Sequence, residues 1–155
     1  MANDGWASSP RGDKTQRSTE ATNMSGRIFP DDVENSVMVV VSPATVQEAA
    51  LVASMYEWLF APPGVRPAGW RLDRAVAAIA RAVSSNSAIV LVARDGGDLV
   101  GFCTAYDDIE SVRFGRRVWV EDLAVHPDHR SRGIGKQLLD EAKQWARQGS
   151  SSTSA

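Results

Sequence analysis

The apolar positions of this chain change rhythm several times between residue 36 and its C-terminal tail. "SVMVVV", Ser36 to Val41, is a short β-branched run of the kind that makes a buried strand, and Pro43 closes it. Thr45-Val46-Gln47-Glu48 has the spacing of a capping box and opens a helix that runs through "EAALVASMYEWLF". "APPGVRPAG", Ala61 to Gly69, breaks that pattern with prolines and glycines. Beyond it, Leu72, Val76, Ile79, Ala80 and Val83 share one face of a second helix. "SAIVLVAR" and "LVGFCTAY" read as two strands, joined by the turn Asp95-Gly96-Gly97-Asp98. A polar connection, "DDIESVRFGRR", leads to "VWVEDLAV", Val118 to Val125, a strand expected antiparallel to the one before it. Ile134, Leu138, Leu139, Ala142, Trp145 and Ala146 then mark a helix to about Gln148.

The predicted order is β-α-α-β-β-β-α, an α/β (α+β) domain over residues 36–148. Residues 1–35 are polar, carry both charge signs and read as a disordered leader. "GSSSTSA", residues 149–155, reads as a low-complexity disordered tail. The 155-residue length suits one domain, and a net charge of -2 gives no general basis for binding nucleic acid or an anionic membrane. No apolar run reaches the roughly 20 residues that span a bilayer, and the N-terminus lacks a signal-peptide core. Cys103 has no partner for an internal disulfide and lies in an apolar run, so it reads as a buried thiol in a reducing cytoplasm. His126 and His129 have no Cys or further His nearby, and no metal site is expected there.

The chemistry concentrates in "VHPDHRSRGIGK", Val125 to Lys136, between the last strand and the last helix. A helix N-terminus carries free N–H groups and partial positive charge, and glycine lets a ligand approach the backbone. Arg130, Arg132 and Lys136 add charge, and together these features suit a phosphate or pyrophosphate. The nucleotide P-loop pattern fails at both ends, at Arg130 and at Gln137. The dinucleotide fingerprint fails at Leu138, where a third glycine would stand.

Arg130-Ser131-Arg132-Gly133-Ile134-Gly135 resembles the [RQ]-x-x-G-x-[GA] signature of the GNAT family of N-acetyltransferases. The likeness extends over "VEDLAVHPDHRSRGIGKQLLDEAKQWA" and, in element order, over about residues 36–148. The resemblance implies a mixed, mostly antiparallel sheet flanked by helices, and transfer of an acetyl group from acetyl-coenzyme A to an amine. It implies that Arg130, Ser131, Arg132, Gly133, Ile134, Gly135 and Lys136 hold the pyrophosphate, mainly through main-chain N–H groups. It also implies that Leu123, Ala124 and Val125 pair through their backbone with the pantetheine arm and acetyl carbonyl.

The amine must lose a proton before it attacks, and a carboxylate on the central strand can take it. Glu121 is the first candidate and Asp122 the alternative. Strand alternation puts Glu121 with Trp119, Leu123 and Val125, and Asp122 with Val118, Val120 and Ala124. Trp58, Trp70 and Tyr106, with the acidic Asp107, Asp108 and Glu110, are candidates to line the amine site. Nothing after Gln148 reads as a strand, so the chain resembles a domain lacking its C-terminal strands. That implies an open edge on Val118 to Val125 through which two copies can pair, and little or no turnover. The rival reading is a non-catalytic module that binds coenzyme A or another chain.

Overall fold

The computed structural model describes residues 38–150; the expected leader lies outside the described residues, as does the expected tail from residue 151 on. Strand β1 (Val40–Pro43) begins later than the β-branched run suggests and keeps Pro43 as its last paired residue, opposite Leu91. At the end of an edge strand the missing proline N–H leaves no ladder bond unmade. A 3-10 turn, Val46–Glu48, leads into α1 (Ala49–Met55), and the Glu48 carboxylate accepts the Thr45 N–H at 2.8 Å, as the capping-box spacing predicts. The same carboxylate pairs with both ends of the Arg94 guanidinium, Nη2 lying 2.9 Å from Oε2, and this ties the helix start to the sheet. The single helix expected through Phe60 is instead broken at Tyr56, where α1 gives way to the short α2 (Glu57–Phe60).

Helix α3 (Leu72–Val83) follows the proline-rich loop, and β2 (Ala88–Asp95) and β3 (Asp98–Asp107) form the predicted hairpin. Strand β4 (Val118–Val125) has the predicted bounds, and α4 (Ile134–Ser150) runs two residues past Gln148. The sheet order is β1-β2-β3-β4 with every neighbouring pair antiparallel, so among the described residues β4 is an edge strand. Val52, Ala53 and Met55 of α1 and Ile79 of α3 bury one face of the sheet, against Val90, Val92, Phe102 and Ala124. Ile134, Leu138 and Ala142 of α4 bury the other, against Leu91, Ala93, Cys103 and Ala105. Gly101 lets α4 sit this close: a Cβ there would come within 3.1 Å of Leu138 Cδ1 and 3.2 Å of the Ala124 carbonyl.

The regular alternation expected along β4 does not hold. Asp122 pairs with Thr104 but Val120 pairs with Ala105, so Glu121 is an extra residue in a β-bulge. One inserted residue flips everything before it to the other face. Trp119, Asp122 and Ala124 therefore lie towards α1, while Val118, Val120, Leu123 and Val125 lie towards α4. This corrects both face assignments made from the alternation.

Candidate functional site

The segment after β4 is pinned to its surroundings before it reaches α4. His126 N–H bonds to the Val100 carbonyl at 2.8 Å, and a 3-10 turn, Pro127–His129, follows. Within it, His129 N–H bonds to the His126 carbonyl at 2.9 Å and Asp128 N–H to His126 Nδ1 at 3.1 Å. Arg130 Nε donates back to the Val125 carbonyl at 3.2 Å. The chain then turns through Ser131 at φ 63° and Gly133 at φ 78°. Glycine adopts such a backbone freely, whereas a side-chain-bearing residue there costs on the order of 1–3 kcal/mol.

Helix α4 opens with Gln137 N–H on the Gly133 carbonyl at 3.1 Å. Helix geometry leaves the preceding N–H groups, those of Gly133, Ile134, Gly135 and Lys136, without intrahelical acceptors. Ile134 is buried as the anchor of the turn, while Arg130, Ser131, Arg132, Gly133 and Lys136 are exposed. A Cβ at Gly133 would meet nothing within 4 Å, so the space before these donors is open. Lys136 Nζ is paired with Asp140 at 2.6 Å, one helical turn on. Free donors, the positive end of a 17-residue helix and two exposed arginines fit the diphosphate of a coenzyme.

Strand β4 leads directly into this loop. Leu123 and Val125 pack towards α4, and Ala124 is buried opposite Phe102. Glu121 is exposed at the bulge, whereas Asp122 is half-buried and held at both its backbone and its carboxylate. Its N–H donates to Thr104 Oγ1 at 3.1 Å, and its Oδ2 accepts from the Tyr56 hydroxyl at 2.9 Å. Burial, followed by the Asp122 charge, raises the Tyr56 phenol well above its ordinary range and keeps it protonated. The Tyr56 ring stacks on Trp70 at 5.1 Å and leans on Phe102 at 4.8 Å, and Phe60 meets Trp70 edge-on at 4.7 Å. The sequence reading passed over Tyr56, although it lies on the core stripe four residues after Val52 with a polar tip that needs a partner when buried.

The other expected site residues disperse. Trp58 packs edge-on against His126 at the exit of β4, while Tyr106 pairs with Trp119 near its start. Trp58 and Tyr106 thus lie towards opposite ends of β4. Asp107 is paired with Arg116 at 2.6 Å, and Asp108 accepts from Arg117 at 2.7 Å and from Trp119 Nε1 at 2.8 Å. Both carboxylates are thus engaged within the fold. Cys103 is fully buried under α4, which pushes its thiol up to about 11. Among the described residues, no group of three or more His, Cys, Asp or Glu side chains could hold a metal ion. No helix among them is long and apolar enough to cross a membrane.

Comparison with known proteins places these elements. The chain is 32% identical over 77 residues to the uncharacterized N-acetyltransferase YhfO of Bacillus subtilis strain 168, a match covering 50% of this chain and 52% of that protein. The matched segment therefore spans about half the length of this curated relative. Among solved structures, a ribosomal-protein-alanine N-acetyltransferase from Brucella melitensis biovar Abortus 2308 aligns at a TM-score of 0.54 and 26% identity, over 72% of this chain and 74% of that one. The aminoglycoside N-acetyltransferase AAC(6')-Iy, solved with CoA, shares the fold at a TM-score of 0.64 and 19% identity, over 76% and 74% of the two chains. The sequence profile of the acetyltransferase (GNAT) family matches residues 51–153, from α1 through the whole of β4, the glycine loop and α4. The chain belongs to the GNAT acetyltransferase family.

Proposed function

We propose that the chain is an N-acetyltransferase domain that moves an acetyl group from acetyl-coenzyme A to an amine of a small molecule or protein. The observation that carries this reading is the continuous run from β4 through the strained turn to the open N-terminus of α4. In it, the N–H groups of Gly133, Ile134, Gly135 and Lys136 take the pyrophosphate, and Arg130 and Arg132 add charge-assisted contacts. Arg130, Ser131 and Arg132 shape the approach, and the edge of β4 at Leu123, Ala124 and Val125 offers backbone groups to the pantetheine arm. Acetyl-coenzyme A, when bound, supplies the acetyl group as a thioester.

Glu121 is the proposed base. It is exposed at the bulge, next to the backbone that would face the thioester, and can take the amine's proton directly or through water. Loss of that proton frees the nitrogen lone pair to form the amide bond as the carbon–sulfur bond breaks. The second proton that the nitrogen sheds goes to the departing coenzyme A thiolate, which leaves as the thiol. Asp122 is the alternative base; its Tyr56 contact fixes its carboxylate, which also suits it to orient an ammonium group. The buried free thiol of Cys103 supports action in a reducing compartment, the cytoplasm.

A second reading, a coenzyme A-binding module without turnover or a chain that pairs with its own copy, is favoured by one observation. The open edge of β4 carries Trp119 at 53% and Val120 at 37% exposure. Thiol release from acetyl-coenzyme A with a panel of amines separates the readings. Release supports the enzyme, while coenzyme A binding without release supports the module. No coenzyme A binding by calorimetry, or equal competition by ATP, overturns the enzyme and the coenzyme A-binding module alike, and the oligomeric state in solution decides the self-pairing.

A further inference from the structure

We propose that Asp95, at the turn between β2 and β3, is a positioning residue for the loop before α4 and acts through His129. The purpose assigned to it rests on the coenzyme-binding reading above; the tether itself does not.

Asp95 closes the β2–β3 hairpin opposite Asp98. That turn reaches the glycine loop because Gly101 of β3 pairs with Val125, the last residue of β4. Asp95 Oδ2 lies 3.3 Å from His129 Nε2, and the two side chains are only 22% and 24% exposed. The other ring nitrogen, Nδ1, is buried and has no hydrogen-bond partner among the described residues. His126 meets the ring edge-on at 5.3 Å, a packing contact that leaves Asp95 as its polar anchor.

His129 stands two residues before Ser131, which bears a side chain yet adopts φ 63°. A residue in that conformation persists where the chain is held on both sides of it. Downstream, Ile134 is locked into the core at 2% exposure. Upstream, the hold consists of His126 N–H on the Val100 carbonyl, Arg130 on the Val125 carbonyl and His129 on Asp95. Of the two side-chain contacts, the one from His129 is the tie to the β2–β3 turn itself. Without it, Ser131 can relax towards an ordinary backbone, and the N–H groups from Gly133 to Lys136 lose their common direction.

The test uses the full chain with Asp95→Ala, with His129→Ala, and with both changes, each also combined with Ser131→Gly. Hydrogen exchange of the amides from Arg130 to Lys136, without ligand, reads the tether directly. Asp95→Ala is expected to speed exchange there about tenfold while leaving the core amides of β2 and β3 protected. Calorimetry with coenzyme A reads the purpose: the dissociation constant is expected to rise about tenfold, with the double variant no worse than either single one. In the Ser131→Gly background, where glycine accepts the turn without strain, the loss from Asp95→Ala is expected to shrink to about threefold or less. A purely structural role for Asp95 would not respond to Ser131→Gly. Unchanged loop exchange in Asp95→Ala overturns the tether. Faster exchange with unchanged coenzyme A affinity overturns its role in binding. If the unaltered protein binds no coenzyme A, the coenzyme reading falls, and the exchange data still decide the tether.

Discussion

The loop in front of α4 and the aromatic cluster beneath α1 meet the same strand from opposite sides, and they are built in different ways. The loop is one contiguous run, Arg130 to Lys136, whose donors are main-chain N–H groups and whose shape depends on backbone angles. The cluster gathers Tyr56, Phe60, Trp70, Phe102 and Asp122 from separate parts of the chain, and side-chain contacts hold it. A site of the first kind tolerates many side-chain changes and fails when its glycines change. A site of the second kind responds to the loss of a single hydroxyl.

The largest effect expected from this contrast is at Gly133. Its φ of 78° is hostile to a β-branched residue, although a Cβ there would meet no neighbour within 4 Å. Gly133→Val is therefore expected to weaken coenzyme A binding by at least about 100-fold, roughly 3 kcal/mol. The fold is expected to lose only about 1–2 kcal/mol. Calorimetry and urea unfolding on the same preparation check both halves. A large stability loss with intact binding would reverse the assignment of this glycine to the ligand.

On the other side of β4 the order of effects inverts, with stability moving first. Asp122→Ala takes away the carboxylate that accepts from the half-buried Tyr56 hydroxyl, at a cost of about 2 kcal/mol. Tyr56→Phe removes the hydroxyl as well and is expected to cost about 1 kcal/mol. A double-mutant cycle by urea unfolding should return a coupling of about 1 kcal/mol. Additive losses would mean that the 2.9 Å contact contributes nothing.

The same contrast explains what could be read from the sequence. The glycine loop, the bounds of β4 and the β2–β3 hairpin depend on neighbours in the chain, and turn residues and hydrophobic period carry that information. The bulge at Glu121 does not. It is fixed where Thr104, on another strand, accepts the Asp122 N–H, and no local pattern in "VWVEDLAV" marks it. Tyr56 and Asp122 stand 66 residues apart, so their contact exists only once α1 is folded onto the sheet. The acidic run before β4 looked available to a ligand because its partners, Arg116 and Arg117, are brought back by the turn between Ser111 and Gly115.

A smaller effect tests how firmly α1 is tied down. The hydrogen bonds from Arg94 hold the Glu48 carboxyl at about 2, below its ordinary 4.5. A depressed carboxylate adds stability above the unfolded-state value and loses it as pH falls from 4.5 towards 2. With solvent screening at this partly exposed pair, the contribution is on the order of 1 kcal/mol. Urea midpoints should therefore fall between pH 4.5 and pH 2, the window set by the two values, more steeply in the unaltered chain than in Glu48→Gln. Parallel slopes would place the acid sensitivity elsewhere.

The smallest effect connects the loop to the core below it. Cys103 lies on the sheet face covered by α4, in one cluster with Ile134 and Leu138, and its residue is 0% exposed. With the thiol pushed up to about 11, almost none is thiolate at pH 8, and labelling by iodoacetamide must wait for α4 to open. Ile134, the first residue of α4, packs in the same cluster, so an opening of α4 that exposes Cys103 is expected to lift Ile134 and dismantle the loop. A ligand bound only to the closed form suppresses the open population by the factor one plus its concentration over its Kd. Coenzyme A at three times its Kd is then expected to slow labelling about fourfold. Slowing by that factor would show that the loop and the α4 side of the core open as one unit. An unchanged rate would mean that Cys103 is reached by a local opening that leaves the glycine turn in place.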